Sequence, residues 1–468
     1  MRESLIIVLP LFEREVLFVS RSLPYKILGI VMLSSFLTPF TSSSLTLSLP
    51  DMGREFSASA STLGWVLEIF LLASVVFLLP VGKMADRIGK RKIFLWGTVL
   101  FALSSVCAFF ATSMAWLLAA RLLQGLAAAM IYATNMAILV LVFPLEKRGM
   151  AMGWNVSMVY VGLSLGPVLG GFFNYYFGWR SIFLFIIVCS VLCSLAILKF
   201  LKEEWLVEGA KGGDGLGALG YGLAMVLVMY GLSELLQQSW AWCALAGGLI
   251  LFAIFLRHET RCEQPVLPVA LLWHNRMFTL SNLAAMLNYS ATFAISFLLS
   301  MYLQSVLGLS SRDAGLLLLV QPVIQAILSP KTGSLSDRYP ATTLSSAGMA
   351  IIACGLLGLA FTVRARLFWP LVPILMLIGF GFALFTAPNN NAIMSSVEKR
   401  YYSMASSLLS TMRLIGQILS VAIVTLLMSL HWDYLPASAM LVRNIEIAFF
   451  VFTALCLAGM VPSLSRRK

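Results

Sequence analysis

Gly82-Lys83-Met84-Ala85-Asp86-Arg87-Ile88-Gly89-Lys90-Arg91-Lys92 is the stretch on which the fold turns. On either side lie apolar runs, near 63–82 and 93–111, each long enough to cross a bilayer, which takes roughly 20 apolar residues. A shorter copy, Gly333-Ser334-Leu335-Ser336-Asp337-Arg338, sits between another such pair. A Gly followed four residues later by Asp-Arg, set between two spans and repeated once, implies a membrane protein made of two homologous halves.

The composition agrees. Of 468 residues, 60% are hydrophobic and only 11% charged, with a mean hydropathy of +0.92, far from ordinary soluble domains. Fourteen apolar segments run from near 27–50 to near 444–463, joined by short connections. Their apolar character is continuous rather than alternating, which excludes an outer-membrane β-barrel. Most of the 32 Lys and Arg fall in connections on one side. Basic residues are retained on the cytoplasmic side, so both termini are expected there, in a multi-pass protein of the cell (plasma or inner) membrane. The net charge of +12 then reflects topology and anionic headgroups, with no nucleic-acid partner expected. Seven Cys and three His are dispersed without a CxxC pair, and no metal site is expected. No nucleotide-binding motif appears. The chain reads as neither an ATP-driven pump nor an enzyme, and no cofactor is expected.

The repeat extends beyond the basic connections. Gly125 to Asn135 aligns with Gly379 to Asn389, and Ala151 and Gly162 align with Ala405 and Gly416, all at one offset. That offset covers six spans plus two more. The expected organisation is a cytoplasmic N-terminal arm at 1–26, a six-helix bundle at 27–201, a two-helix insert at 216–257 and a second six-helix bundle at 277–463. The fold class is therefore all-α integral membrane, with a pseudo-twofold repeat of six-helix bundles around a central cavity.

Further motifs carry a family likeness. Arg121-Leu122-Leu123-Gln124-Gly125 lies in span 4, and Gly162-Leu163-Ser164-Leu165-Gly166-Pro167-Val168-Leu169-Gly170-Gly171 in span 5. Tyr302-Leu303-Gln304 and Pro388-Asn389-Asn390-Asn391 mark the second half. With the duplicated Gly-to-Asp-Arg connection, this set resembles the major facilitator superfamily, and its fourteen-span drug:proton antiporter group in particular. The resemblance implies a gating latch at Gly82, Asp86, Arg87, Gly89, Lys90 and Arg91, echoed at Asp337 and Arg338. It also implies an antiporter motif at Gly162, Gly166, Pro167, Gly170 and Gly171. Physically, glycines every four residues line one helix face and admit a close neighbour, while Pro167 removes a backbone donor and bends the helix.

Intramembrane charge points to mechanism, because an ionised side chain at mid-membrane costs about 2.5–3.5 kcal/mol on the insertion scale and so faces a cavity or a partner. Glu68 lies within Trp65-Val66-Leu67-Glu68-Ile69-Phe70 and is the candidate for proton exchange or for balancing substrate charge. Arg121 is either its functional partner or a structural hydrogen-bonding hub, and Arg413 poses the same choice. The family's usual span 1 acid is replaced by Thr41 in Phe40-Thr41-Ser42-Ser43-Ser44. Polar cavity candidates are Thr41, Gln124, Tyr132, Asn135, Asn155, Asn288, Gln304, Gln321, Asn389 and Arg413. The expected function is proton-coupled efflux of lipophilic or amphipathic organic compounds by alternating access, in a protein expected to be monomeric, with the lipid bilayer, the substrate and protons as its partners. Two alternatives stand beside it: a facilitator or uptake carrier for a small metabolite, and a receptor or assembly subunit that keeps the fold without transport.

Overall fold

The computed structural model describes residues 23–58, 60–207, 213–234, 238–430 and 436–466. Most of the expected N-terminal arm lies outside them. Fourteen helices among the described residues are long and apolar enough to cross a membrane. They are α1 (Leu23–Phe56), α2 (Thr62–Ile88), α3 (Lys90–Phe109), α4 (Met114–Val142), α5 (Leu145–Phe177), α6 (Arg180–Phe200) and α7 (Gly215–Leu232). There follow α8 (Ala241–Glu259), α9 (Arg276–Val306), α10 (Arg312–Leu335), α11 (Ala341–Arg364), α12 (Leu371–Ser395), α13 (Lys399–Met428) and α14 (Ser438–Ser465). Prolines 39, 80, 167, 330 and 388 sit inside helices. Such breaks are tolerated within a packed membrane bundle, where neighbours and hydroxyl side chains satisfy the freed carbonyls.

The helices pair in two matching sets. In the first half α1 packs on α5 and α6, α2 on α4, and α3 on α4 and α6. In the second, α9 packs on α13 and α14, α10 on α12, and α11 on α12 and α14. These are the same pairs eight helices on, so the fold is two six-helix bundles related by a pseudo-twofold, plus the insert α7–α8. The halves meet where α5 crosses α10 and α2 crosses α13, again a symmetric pair. Helix α7 leans on α2 and α13, alongside that second crossing.

Two features show how sequence sets the packing. On α6, Leu184, Val188, Leu192 and Leu195 are exposed, whereas Ile182, Ile186, Cys193 and Ile197 are buried. Hydrocarbon tails are as apolar as leucine, so the exposed stripe is a lipid face rather than an unfinished core. On α5, a Cβ at Gly162 would lie 2.6 Å from the Phe36 carbonyl oxygen and one at Gly170 2.5 Å from that of Ser44, both on α1. Backbone-to-backbone approach of this kind, not the hydrophobic effect, holds helices together in lipid. In the second half only Gly416 keeps the pattern, against Met286 on α9; Ser420 and Val424 stand where Gly166 and Gly170 would repeat.

Candidate functional site

Between the halves lies a cavity walled by Ser35 of α1, Tyr132 and Asn135 of α4, Asn155 and Tyr160 of α5, Tyr289 of α9, Thr386 and Asn390 of α12, and Arg413 of α13. The first-half wall is one hydrogen-bonded chain. Ser35 Oγ donates to Asn155 Oδ1 at 2.6 Å and accepts from Asn135 Nδ2 at 2.8 Å, while Ser34 Oγ donates to Asn135 Oδ1 at 3.2 Å. Phe382 packs between the rings of Tyr160 and Tyr289, edge-on to the first and tilted to the second, with centroids 6.3 and 6.2 Å away. The guanidinium of Arg413 lies 4.8 Å from the centre of the Tyr132 ring. No Asp or Glu lines this cavity, and no ion pair to Arg413 occurs among the described residues. The wall thus presents one cation, aromatic faces, neutral amides and hydroxyls, and apolar side chains at Met136, Val156, Val159 and Leu409.

Several expected site residues lie elsewhere. Thr41 is buried and donates to the Leu37 carbonyl at 2.7 Å within its own helix. Arg121 is fully buried and ties three helices: its Nε donates to the Val66 carbonyl at 2.9 Å, its Nη1 to Gln124 Oε1 at 2.5 Å, and Gln124 Nε2 donates to Ser105 Oγ at 2.7 Å. Its guanidinium also stacks 4.4 Å from the Phe70 centroid. This is the geometry of a hub. Glu68 is exposed on α2, has Glu234 at the end of α7 as its charged neighbour, and does not reach the cavity wall. Asn288 and Gln321 are buried off the wall, and Gln304 is exposed, donating to Ser300 Oγ at 2.8 Å. Asn389 turns away from the cavity toward Arg466, one residue before Asn390, which lines it.

The expected basic connection is mostly helix. Gly82 to Ile88 complete α2, and α3 begins at Lys90, so the reversal rests on Gly89 alone. Its φ of 121° is open only to glycine. Nor do Lys90 and Arg91 sit free at the headgroups. Lys90 is 2% exposed and pairs with Asp86 at 2.8 Å, while Arg91 Nε donates to the Leu201 carbonyl. Arg87 and Lys92 do face outward. Asp86 also faces the first turn of α13 at Ser403, and Gly82 packs against Ser403 and Ser407.

The second copy makes the pseudo-symmetric contact. Asp337 accepts from the Gly149 and Met150 amides, Oδ1 at 2.6 Å and Oδ2 at 3.0 Å. These are unpaired donors at the start of the α5 helix, where a carboxylate is favoured. Burial pushes the Asp337 carboxyl above its ordinary pKa, with the two amides pulling the other way. Arg338 is exposed. Gly333 and Gly149 meet backbone to backbone. The two halves are therefore clasped twice at this end of the molecule.

Two functional-looking residues escape the sequence reading. Glu204, in the segment after α6, accepts from the Arg91 and Lys92 amides at 2.9 and 3.2 Å and so caps α3; the next residues bond back to Lys90 and Asp86. Arg466 is 4% exposed. It donates to Ser281 Oγ and Asn389 Oδ1 at 2.6 Å, and to Ser345 and Ser463 Oγ at 2.5 and 2.6 Å, joining α9, α11, α12 and α14. Burial lowers its pKa to about 10, so it stays charged. A serine or asparagine facing inward on each helix is the faint signal for such a knot.

Paired six-helix bundles clasped around a polar cavity define a secondary carrier for small organic solutes. The family model of the Major Facilitator Superfamily matches residues 31–257 and 282–467. The riboflavin transporter RibZ of Clostridioides difficile is 28% identical over 387 residues, 83% of this chain and 84% of that protein. The multidrug resistance protein Stp of Mycobacterium tuberculosis is 30% identical over 388 residues, 81% of this chain and 71% of that protein. The crystal structure of the human organic anion transporter MFSD10 superposes with a TM-score of 0.68 at 14% identity, covering 94% of this chain and 99% of that one. The chain belongs to the Major Facilitator Superfamily, within its multidrug-resistance, drug:proton antiporter group.

Proposed function

We propose that this protein exports amphipathic aromatic compounds that are neutral or anionic, by alternating access in the cell membrane. The observation that carries this is Arg413 against Tyr132, on a wall of amides and phenols that holds no acid. A guanidinium facing a low-dielectric cavity without a carboxylate favours an anionic or electron-rich ligand and disfavours a lipophilic cation. Glu68 was expected either to exchange a proton or to balance substrate charge; the second role suits cations, and the acid-free cavity supports the opposite sign. The clasped end is the cytoplasmic one by the distribution of basic residues, which makes this conformation closed toward the cytoplasm. Proton coupling then runs through Glu68, in the outer part of α2 beside Glu234 and away from the substrate.

In everted vesicles, a matched pair of aromatic compounds differing only in carboxylate against ammonium tests the charge preference. Arg413→Gln should lower uptake of the anion about tenfold, the equivalent of 1.4 kcal/mol, and leave the cation's slow rate unchanged. Faster transport of the cation by the unmodified protein would overturn the reading. Glu68→Gln should abolish the dependence on a pH gradient while the protein still reaches the membrane; unimpaired coupling would remove Glu68 from the mechanism. A second reading, facilitated passage of a metabolite without protons, is favoured by the acid-free cavity and by Thr41, whose hydroxyl is tied to Leu37. Transport that persists unchanged when the gradient is collapsed would select it.

A further inference from the structure

We propose that the insert binds a divalent transition-metal ion of the zinc class, through Asp214, Glu259, His258 and Cys262, where α7 begins and α8 ends. In the chain Asp214 stands 44 residues from His258, with Glu259 and Cys262 close behind the latter, and no metal site was expected. The α7–α8 hairpin closes the gap. One oxygen of Asp214 caps α7 by accepting from the Gly217 amide at 2.8 Å, and the other lies 2.7 Å from His258 Nε2. Ligand atoms of Asp214, His258 and Cys262 all fall within 4.8 Å of one another. Tetrahedral zinc with bonds near 2.0–2.3 Å separates its ligand atoms by about 3.4–3.7 Å. To reach that spacing the exposed His258 would draw back from its hydrogen-bond contact with Asp214, and the Cys262 side chain would turn inward.

A second observation points to a cation. Glu259 is 2% exposed. Its Oε2 accepts from the Leu267 amide at 2.8 Å, but its Oε1 has no hydrogen-bond partner. That oxygen and Asp214 Oδ2 both crowd the point where a Cβ on residue 217 would lie. Gly217 therefore leaves open a space into which two carboxylates turn, and no Lys or Arg pairs with either among the described residues. Two facing carboxylates, one with a buried oxygen unmatched, need a proton or a cation between them, and the imidazole of His258 and the thiol of Cys262 alongside suit a metal ion. Imidazole and thiol beside carboxylate oxygen suit zinc or cobalt and not calcium or magnesium, which take oxygen alone. The same segment touches the clasp helix: Gln264 Oε1 accepts from Lys83 Nζ of α2 at 3.5 Å.

The test uses the purified full chain in detergent, stripped with a chelator and titrated with Zn²⁺ and with Co²⁺. One zinc per chain by elemental analysis, and a thiolate-to-cobalt charge-transfer absorption, are expected. Cys262→Ser should abolish that absorption, and His258→Gln should weaken zinc binding about tenfold or more. Glu259→Gln could unsettle the Leu267 contact, so the exposed His258→Gln variant, checked by unchanged elution and thermal unfolding without metal, keeps the result interpretable. Zinc should raise the unfolding temperature of the unmodified chain and not of the Cys262→Ser/His258→Gln double variant. Equal zinc content in the unmodified chain and the double variant, or cobalt spectra that survive Cys262→Ser, would overturn the proposal. The readouts do not involve transport, so they stand or fall independently of the proposed substrate.

Discussion

The two clasps use one geometry and different chemistry. In both, a glycine on the second helix of one half admits the fifth helix of the other, and an aspartate four residues on meets that helix's first turn. Asp86 divides its carboxylate between Lys90, at 2.8 Å, and the hydroxyl and backbone amide of Ser403 at the first turn across the divide. Asp337 has no basic neighbour in an ion pair among the described residues and gives both oxygens to backbone amides across the divide. By sequence the second copy looks the weaker, since it lacks the basic tail. By contact it makes the more direct bridge. A basic residue beside a clasp aspartate shares the carboxylate; it does not add to the grip.

The sharpest way to break the comparison is steric. Gly333 meets backbone at Gly149 and Gly153, which cannot yield, whereas Gly82 meets chiefly the Ser407 side chain, which can turn. Gly333→Ala should abolish transport and leave the cavity labelled by cytoplasmic thiol reagents, while Gly82→Ala keeps measurable transport. Equal loss would show that both crossings are equally rigid. Next come the carboxylates. Asp337→Ala removes two charge-assisted bonds of about 1.5–3 kcal/mol each, enough to shift the balance of states by tenfold or more with little change in expression. Asp86→Ala instead strands a buried lysine, which costs about 3–5 kcal/mol, so its main effect should be on yield and thermal stability, recovered in Asp86→Ala/Lys90→Met. A poor yield from Asp337→Ala, or no recovery in the double variant, would erase the distinction.

A smaller effect follows from acidity. The Asp337 carboxyl has its pKa raised in the clasped state, because burial costs its ionised form more than the two amides return. Clasping is then tightest below the ordinary aspartate value and loosens as pH rises through the raised one. Asp337→Asn, which stays neutral, should be milder than Asp337→Ala and should flatten the pH dependence of thiol labelling; a slope unchanged in Asp337→Asn would assign it elsewhere. Smallest is Glu204→Gln, which weakens the cap on α3 by about 1 kcal/mol. Faster amide exchange at Arg91 and Lys92 with near-normal transport would place it in the scaffold.

Legibility followed periodicity. Each span could be read because crossing a bilayer demands an uninterrupted apolar run, and the repeat could be read because glycines at helix crossings leave few alternatives. Tyr132, Asn135, Asn155 and Arg413 were found on the cavity wall because polar residues at mid-span have few other places to go. Rotation about a helix axis is what a linear reading lacks. Asn389 and Asn390 differ by about 100° of turn, and one serves Arg466 while the other faces the cavity. Glu68 lies off the wall, with Glu234 as its charged neighbour. Arg466 read as one more basic residue of a terminus, since its four neutral partners are scattered over the second half.

The glycine seam of α5 also divides labour between the halves. Helices α1 and α5 interlock along three glycine contacts, at Gly162, Gly166 and Gly170, and such close backbone packing favours their moving together. Helices α9 and α13 share a single such notch at Gly416, and beyond it the Ala294 amide donates to Ser420 Oγ at 3.1 Å, a side-chain contact that can break and re-form. During a cycle the first half should act as the stator and the second as the part that deforms, so substrates reshaped by evolution would be accommodated mainly by α9 and α13, the helices that carry Tyr289 and Arg413.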